Sequence, residues 1–125
     1  MSKILITSGP TRQYLDPVRY ITNSSSGRMG CCLAKACISH GHDVVIVSGP
    51  VAVEYPVGAE VISVVSTEEM LSKALEYFPL FDGVIGAAAP CDYQPTKLAS
   101  RKITKTGEGI SLDLIETPDV IATLG

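Results

Sequence analysis

A chain of 125 residues, 46% hydrophobic and 18% charged, carries apolar material for one core. Its net charge of −3, and cations scattered apart from Arg101-Lys102 with Lys105, argue against a nucleic-acid surface, which needs a basic face. No run reaches the roughly 20 apolar residues that span a bilayer, and Met1-Ser2-Lys3-Ile4 enters a strand without a leader pattern, so a cytoplasmic protein with no membrane contact is expected.

In chain order, Ile4-Leu5-Ile6 within Lys3 to Thr7 predicts a buried first strand. A first helix is predicted from Gly27 to Gly41, with Met29, Leu33, Ala34, Ala36 and Cys37 at helical spacing and His40-Gly41 as its stop. The connection between them, Gly9 to Gly30, far exceeds the roughly 2–6 residues usual for a strand-to-helix loop. Its Arg, Asn, Ser and Gly content just before a helix N-terminus suits an anion. Val44 to Val47 reads as a strand buried on both faces, closed by Ser48-Gly49-Pro50. Glu60 to Val65 is a third strand by its β-branched content. Thr67 is the expected N-cap of a second helix, with Glu68 and Glu69 at the positive end of its dipole and Pro79 beyond Tyr77 as its end.

Asp82 to Ala88 predicts a fourth strand running into a small-residue turn. From Pro90 to Gly109 no period emerges, and the lysine-rich stretch reads as a mobile loop. Ile110 to Ile115 alternates like an exposed strand, and Thr117-Pro118-Asp119 opens a last helix. The alternation predicts an α/β fold, a Rossmann-like three-layer domain with a mostly parallel sheet, as a single domain over 1–125. The last helix has barely two turns before Gly125, so the chain is expected to be the N-terminal portion of a larger sheet domain, truncated at its C-terminus.

Cys31, Cys32 and Cys37 fall in the first helix and Cys91 in a later turn; no C-x-x-C pair or nearby His completes a zinc set. Small buried residues in a reducing compartment are expected.

Ligands of open parallel sheets gather at strand carboxyl ends, where Gly9–Gly30, Ser48–Pro50 and Gly86–Tyr93 lie. A dinucleotide-binding oxidoreductase is rejected, because Gly27-Arg28-Met29-Gly30 supplies only G-x-x-G and no acid ends the second strand. A P-loop also fails for want of Gly-Lys-Ser/Thr. What remains is Ser24-Ser25-Ser26-Gly27 at a helix start, a phosphate or carboxylate site preceded by Arg19 and Asn23, or simply an N-cap. Arg19 can equally pair with Asp16. Gly86-Ala87-Ala88-Ala89 allows close approach of another molecule's atoms, with Asp92 in the same turn, and Lys102 and Lys105 can close over phosphates or simply be solvated.

Taken together, Ile6-Thr7-Ser8-Gly9-Pro10-Thr11-Arg12, the block Asp16 to Gly27, Val47 to Pro50, Ala87 to Tyr93, Lys102-Ile103-Thr104-Lys105 and Thr117-Pro118-Asp119 resemble phosphopantothenoylcysteine synthetase, the ligase domain of bacterial bifunctional coenzyme A biosynthesis flavoproteins. The resemblance runs through the whole chain in order. It implies a ligase joining 4′-phosphopantothenate to cysteine through an acyl-cytidylate, with CTP as nucleotide substrate, ATP as the alternative, and Mg2+ assisting the first step. By that resemblance Asn23 is catalytic, contacting the acyl-nucleotide as an amide donor. It also implies nucleotide contacts from Gly86, Ala87, Ala88, Asp92, Pro118, Asp119, Val120 and Ile121, and a triphosphate contact from Lys102.

Anion-binding physics adds Arg19, Ser24, Ser25, Ser26, Gly27 and Gly30 as candidates for a substrate phosphate; no metal ligand is assigned. A homodimer, a fused or partner flavin-dependent decarboxylase and no flavin in this domain also follow from the resemblance. Pro90, Cys91 and Thr104 depart from the family pattern, and the family domain continues past the point matching Gly125. The other function class consistent with the sequence is a non-catalytic nucleotide-binding or oligomerisation module on the same fold.

Overall fold

The apolar runs sort by parity onto the two faces of one sheet. In the computed structural model, which describes residues 1–125, the chain forms β1 (Lys3–Pro10), β2 (Arg12–Tyr14), β3 (Tyr20–Thr22), α1 (Arg28–Ser39), β4 (Asp43–Ser48), β5 (Ala59–Ser63), α2 (Thr67–Tyr77), β6 (Gly83–Ala89), β7 (Tyr93–Pro95), β8 (Leu114–Glu116) and α3 (Val120–Leu124). Four strands make a parallel sheet in the order β5-β4-β1-β6, with Ile6 opposite both Ile46 and Ile85. Because side chains alternate along a strand, Leu5, Val45 and Val47 face α2 and α3, packing with Val64, Met70, Ala74, Val120 and Leu124. Ile6, Val44 and Ile46 face the other way and pack with Ala34 of α1. Helix, sheet and helix thus form the three layers expected. Each fully buried Leu, Ile, Val or Met side chain contributes about 1.5–3 kcal/mol.

Several boundaries differ from the sequence reading for physical reasons. β1 runs on to Pro10 because β6 continues beside it to Ala89, supplying partners. The long connection after β1 is not open loop: β2 and β3 pair antiparallel, with Tyr14 against Tyr20 at 5.3 Å between ring centroids. β5 ends at Ser63, two residues earlier than expected. The N-cap of α2 is Ser66, not Thr67; Ser66 and Glu69 form a capping box, and the Thr67 side chain turns inward and is buried. Of Ile110 to Ile115 only the end is strand, since β8 forms where Leu114 to Glu116 meet Pro95 to Tyr93. Asp119 caps α3 by accepting from the Ala122 N–H. Cys31 and Cys91 are buried as expected, but Cys32 lies on the exposed side of α1.

Candidate functional site

In this strand order β1 has β4 on one side and β6 on the other, so the order reverses between β1 and β6. The crevice of such a sheet lies over the carboxyl ends of those two strands, here Pro10-Thr11 and Ala89-Pro90.

A buried hydroxyl network shapes that end. The Cys91 N–H donates to Thr11 Oγ1 at 2.7 Å, and Thr67 Oγ1 donates to the Cys91 carbonyl at 3.0 Å. Thr67 has spent its one proton there, so across the 2.7 Å Thr11–Thr67 contact Thr11 is the donor. Thr117 Oγ1 donates to the same Cys91 carbonyl at 2.6 Å, and the Thr117 N–H to the Asp92 carbonyl at 2.8 Å. Beside them Gln13 accepts from the Thr67 N–H and donates to Gln94. The Pro90–Asp92 turn is therefore held from the junction of β1 and β2, from α2 and from the approach to α3. Sequence reasoning missed this network; Cys91, expected only as a small buried residue, takes part through its backbone.

Asn23 sits at the mouth of the same turn. Its Nδ2 donates to the carbonyls of Ala89 and Pro90, both at 3.0 Å. Two acceptors on one side set which way the amide points, so Oδ1 faces away as an acceptor. Both amide protons are thus engaged within the chain, whereas the sequence reading had the amide donating to substrate.

Gly86, Ala87 and Ala88 lie on β6, the edge strand. The room above Gly86 is filled by Ile121 of α3: a Cβ there would come within 2.6 Å of the Ile121 side chain. Two segments assigned separately to a nucleotide site thus meet, but the atoms closest to Gly86 are the protein's own. Val120 is buried in the core, Pro118 is half-buried, and Asp92 and Asp119 are exposed.

The serine run behaves as the connection to α1. Ser24 is exposed, Ser25 Oγ accepts from the Gly27 N–H and Ser26 Oγ from the Arg28 N–H, while Gly27 itself occupies the N-cap with φ +80°. Gly30 packs on Ser8, where a Cβ would collide with the serine side chain. Ser25 and Ser26 share an open cleft with Arg12, Pro50 and Val51. Arg12, absent from the expected site, stacks on Tyr20 with its guanidinium carbon 4.4 Å from the ring centroid. Its place on the three-residue β2 gave no periodic signal.

Arg19 is paired: Nη1 reaches Asp16 Oδ2 at 2.7 Å and the Ile103 carbonyl at 3.1 Å. Burial of the Asp16 side chain pushes its carboxyl up, but the N–H groups of Ile103, Val18 and Arg19 and the Arg19 guanidinium outweigh that and hold it well below the carboxylate range. Lys102 is exposed next to the anchored Ile103. No three His, Cys, Asp or Glu side chains converge as a metal cluster.

Known proteins match this chain along nearly its whole length. Bifunctional coenzyme A biosynthesis proteins CoaBC from Haemophilus influenzae and Bacillus subtilis are 43% identical over 122 residues and 41% over 123, each covering 98% of this chain and 30% of the relative. The chain therefore spans under a third of the curated relatives it matches. Among solved structures, the C-terminal domain of a CoaBC protein superposes with a TM-score of 0.85 at 37% identity, over 98% of this chain and 57% of that one. The DNA/pantothenate metabolism flavoprotein from Streptococcus pneumoniae gives a TM-score of 0.87 at 26% identity, over 99% and 64%. Residues 1–125 match throughout the family described as the DNA/pantothenate metabolism flavoprotein C-terminal domain, and to that family the chain belongs.

Proposed function

We propose that this chain carries the nucleotide-binding end of a phosphopantothenate–cysteine ligase. The observation that carries the reading is the Asn23 side chain bridged to the Ala89 and Pro90 carbonyls, at the point where strand order reverses. In the first step the carboxylate of 4′-phosphopantothenate attacks the α-phosphorus of CTP, the bond to the bridging oxygen breaks, and pyrophosphate leaves. In the second, the cysteine amine attacks the acyl carbonyl, the bond to the cytidylate oxygen breaks, CMP leaves and the amine gives up a proton.

In this reading the Ala87–Asp92 backbone cradles the nucleotide, and Pro118 to Ile121 close over the edge of β6 beside it. Lys102 brings positive charge to the departing pyrophosphate. Mg2+, bound with the triphosphate, supplies further charge neutralisation. Asn23 does two things: its Nδ2 fixes the turn, and its Oδ1 accepts from the incoming cysteine amine and so orients it. ATP is the alternative nucleotide. A flavin-dependent decarboxylase belongs to a fused or partner domain, as the bifunctional name of the relatives suggests. The half-exposed Tyr93, Leu112, Leu114 and Ile115 support a second copy of the chain as partner.

Calorimetric titration with CTP, ATP and NADH, each with Mg2+, tests the reading. Saturable CTP binding is expected; absence of any nucleotide binding leaves an interaction module, and tighter NADH binding revives an oxidoreductase.

A further inference from the structure

Four of the ten Lys and Arg residues, Lys97, Arg101, Lys102 and Lys105, lie in nine residues of one arm between β7 and β8. All four are exposed and none has a carboxylate partner. The arm has no regular structure, yet it is held at defined points. At its base the Thr96 N–H donates to the Asp113 carbonyl, and further along the Ala99 N–H donates to the Leu15 carbonyl. The third point is different in kind, because a buried carboxylate makes it.

The two oxygens of Asp16 divide their work. Oδ1 accepts from the Val18 and Arg19 N–H groups at 2.9 and 2.7 Å, closing the turn that joins β2 to β3. Oδ2 accepts from Arg19 Nη1 at 2.7 Å and, 87 residues along the chain, from the Ile103 N–H at 2.8 Å. Arg19 then donates to the Ile103 carbonyl, so the backbone of Ile103 is held at both its N–H and its carbonyl. A turn closed locally needs only the first oxygen. The second is spent on the residue between Lys102 and Thr104, and beside it Leu15, Arg19, Thr104 and Lys105 line a cleft of about 480 Å3.

We propose that Asp16 is a positioning residue: through its clasp on the Ile103 peptide, shared with Arg19, it presets where Lys102 and Lys105 meet the nucleotide phosphates. The proposal rests on the ligase reading for the identity of that ligand, but the clasp itself does not. An arm free to wander must be ordered when it binds; one already pinned at Ile103 loses less entropy. Arg19, a candidate phosphate ligand from the sequence, is on this account occupied by the clasp.

Asp16→Asn separates the two jobs. Its remaining oxygen can keep the Val18 and Arg19 N–H groups, while its NH2 faces the Ile103 N–H and the guanidinium, donor against donor. Ile103→Pro removes the same hydrogen bond from the arm's side and leaves the carboxylate in place. In both variants amide exchange across β1 and β4 reports that the fold is intact. The Ile103 amide in Asp16→Asn is expected to exchange at least about tenfold faster, with Val18 and Arg19 still protected, and CTP with Mg2+ to bind roughly three- to tenfold more weakly in both variants.

A double-mutant cycle identifies the route: in a Lys102→Ala background Asp16→Asn should weaken CTP less than twofold further. Unchanged Ile103 exchange in Asp16→Asn overturns the clasp. Released Ile103 with unchanged CTP binding, or a full additional loss in the Lys102→Ala background, overturns the positioning role. Failure of the unaltered protein to bind CTP, with Ile103 protected, overturns the ligase reading and the arm's task with it while leaving the clasp standing.

Discussion

At the scale of single residues, Asn23 and Asp16 make opposite predictions. The bonds from Asn23 to Ala89 and Pro90 are near the surface, where water can replace them, so Asn23→Ala changes stability by less than about 1 kcal/mol. Its effect is chemical: acyl-cytidylate forms and persists while cysteine-dependent product falls by roughly a hundredfold or more, read by quenching the reaction with labelled CTP. Ordinary turnover by that variant contradicts the role. Asp16 is instead a matter of pH. Its folded carboxyl titrates below the ordinary 3.8, so its contribution is present above the unfolded value and is lost only as pH falls through the lower folded one. Carbon NMR of Asp16 should show an ionised carboxylate at pH 3 with the Ile103 amide still protected; titration near 4 contradicts the clasp.

At the scale of elements, the start of α2 gives the cap to Ser66 and turns Thr67, the N-cap expected from the sequence, into the interior. Ser66→Ala removes the cap and costs about 1 kcal/mol. Thr67→Val strips a buried donor from Cys91 and leaves Thr11 without its partner, costing about 1–3 kcal/mol. On a domain of this size each kcal/mol lowers Tm by roughly 3–6 °C, so thermal melts should rank Thr67→Val at or below Ser66→Ala. The reverse order, by a clear margin, contradicts the network.

What was legible follows from range. Ile4 to Ile6 and Val44 to Val47 announce buried strands because their side chains meet two covered faces, and Thr117-Pro118-Asp119 announces a helix start because its signals are local, the Asp119 cap bonding only three residues away. The β2–β3 hairpin was illegible: three residues per strand carry too short an alternation to register. The reach of Thr11 to Cys91 and of Asp16 to Ile103 spans 80 and 87 residues, distances at which no local pattern speaks. The polar block around Asn23 was visible as unusual, but which of its groups bond to the protein was not.

For the molecule as a whole, β6 is one edge of the sheet and the separate β7–β8 ribbon carries exposed apolar side chains. Leu114 and Ile115 remain 43% and 50% exposed on that ribbon, and a second copy of the chain would cover them. Sedimentation velocity should show a dimer that Ile115→Lys converts to monomer without altering the melt; an unchanged dimer in that variant moves the contact elsewhere. The proposed ligase reading puts nucleotide at the crevice between β1 and β6. Titrating the labelled protein with CTP and Mg2+ while following backbone and Asn23 side-chain amide shifts tests it directly. Saturable shifts concentrated on Gly86 to Asp92, the Asn23 side chain and Lys102 are predicted. Shifts confined to another cleft, such as the one beside Glu68 and Glu69, or no shifts at all, would contradict it.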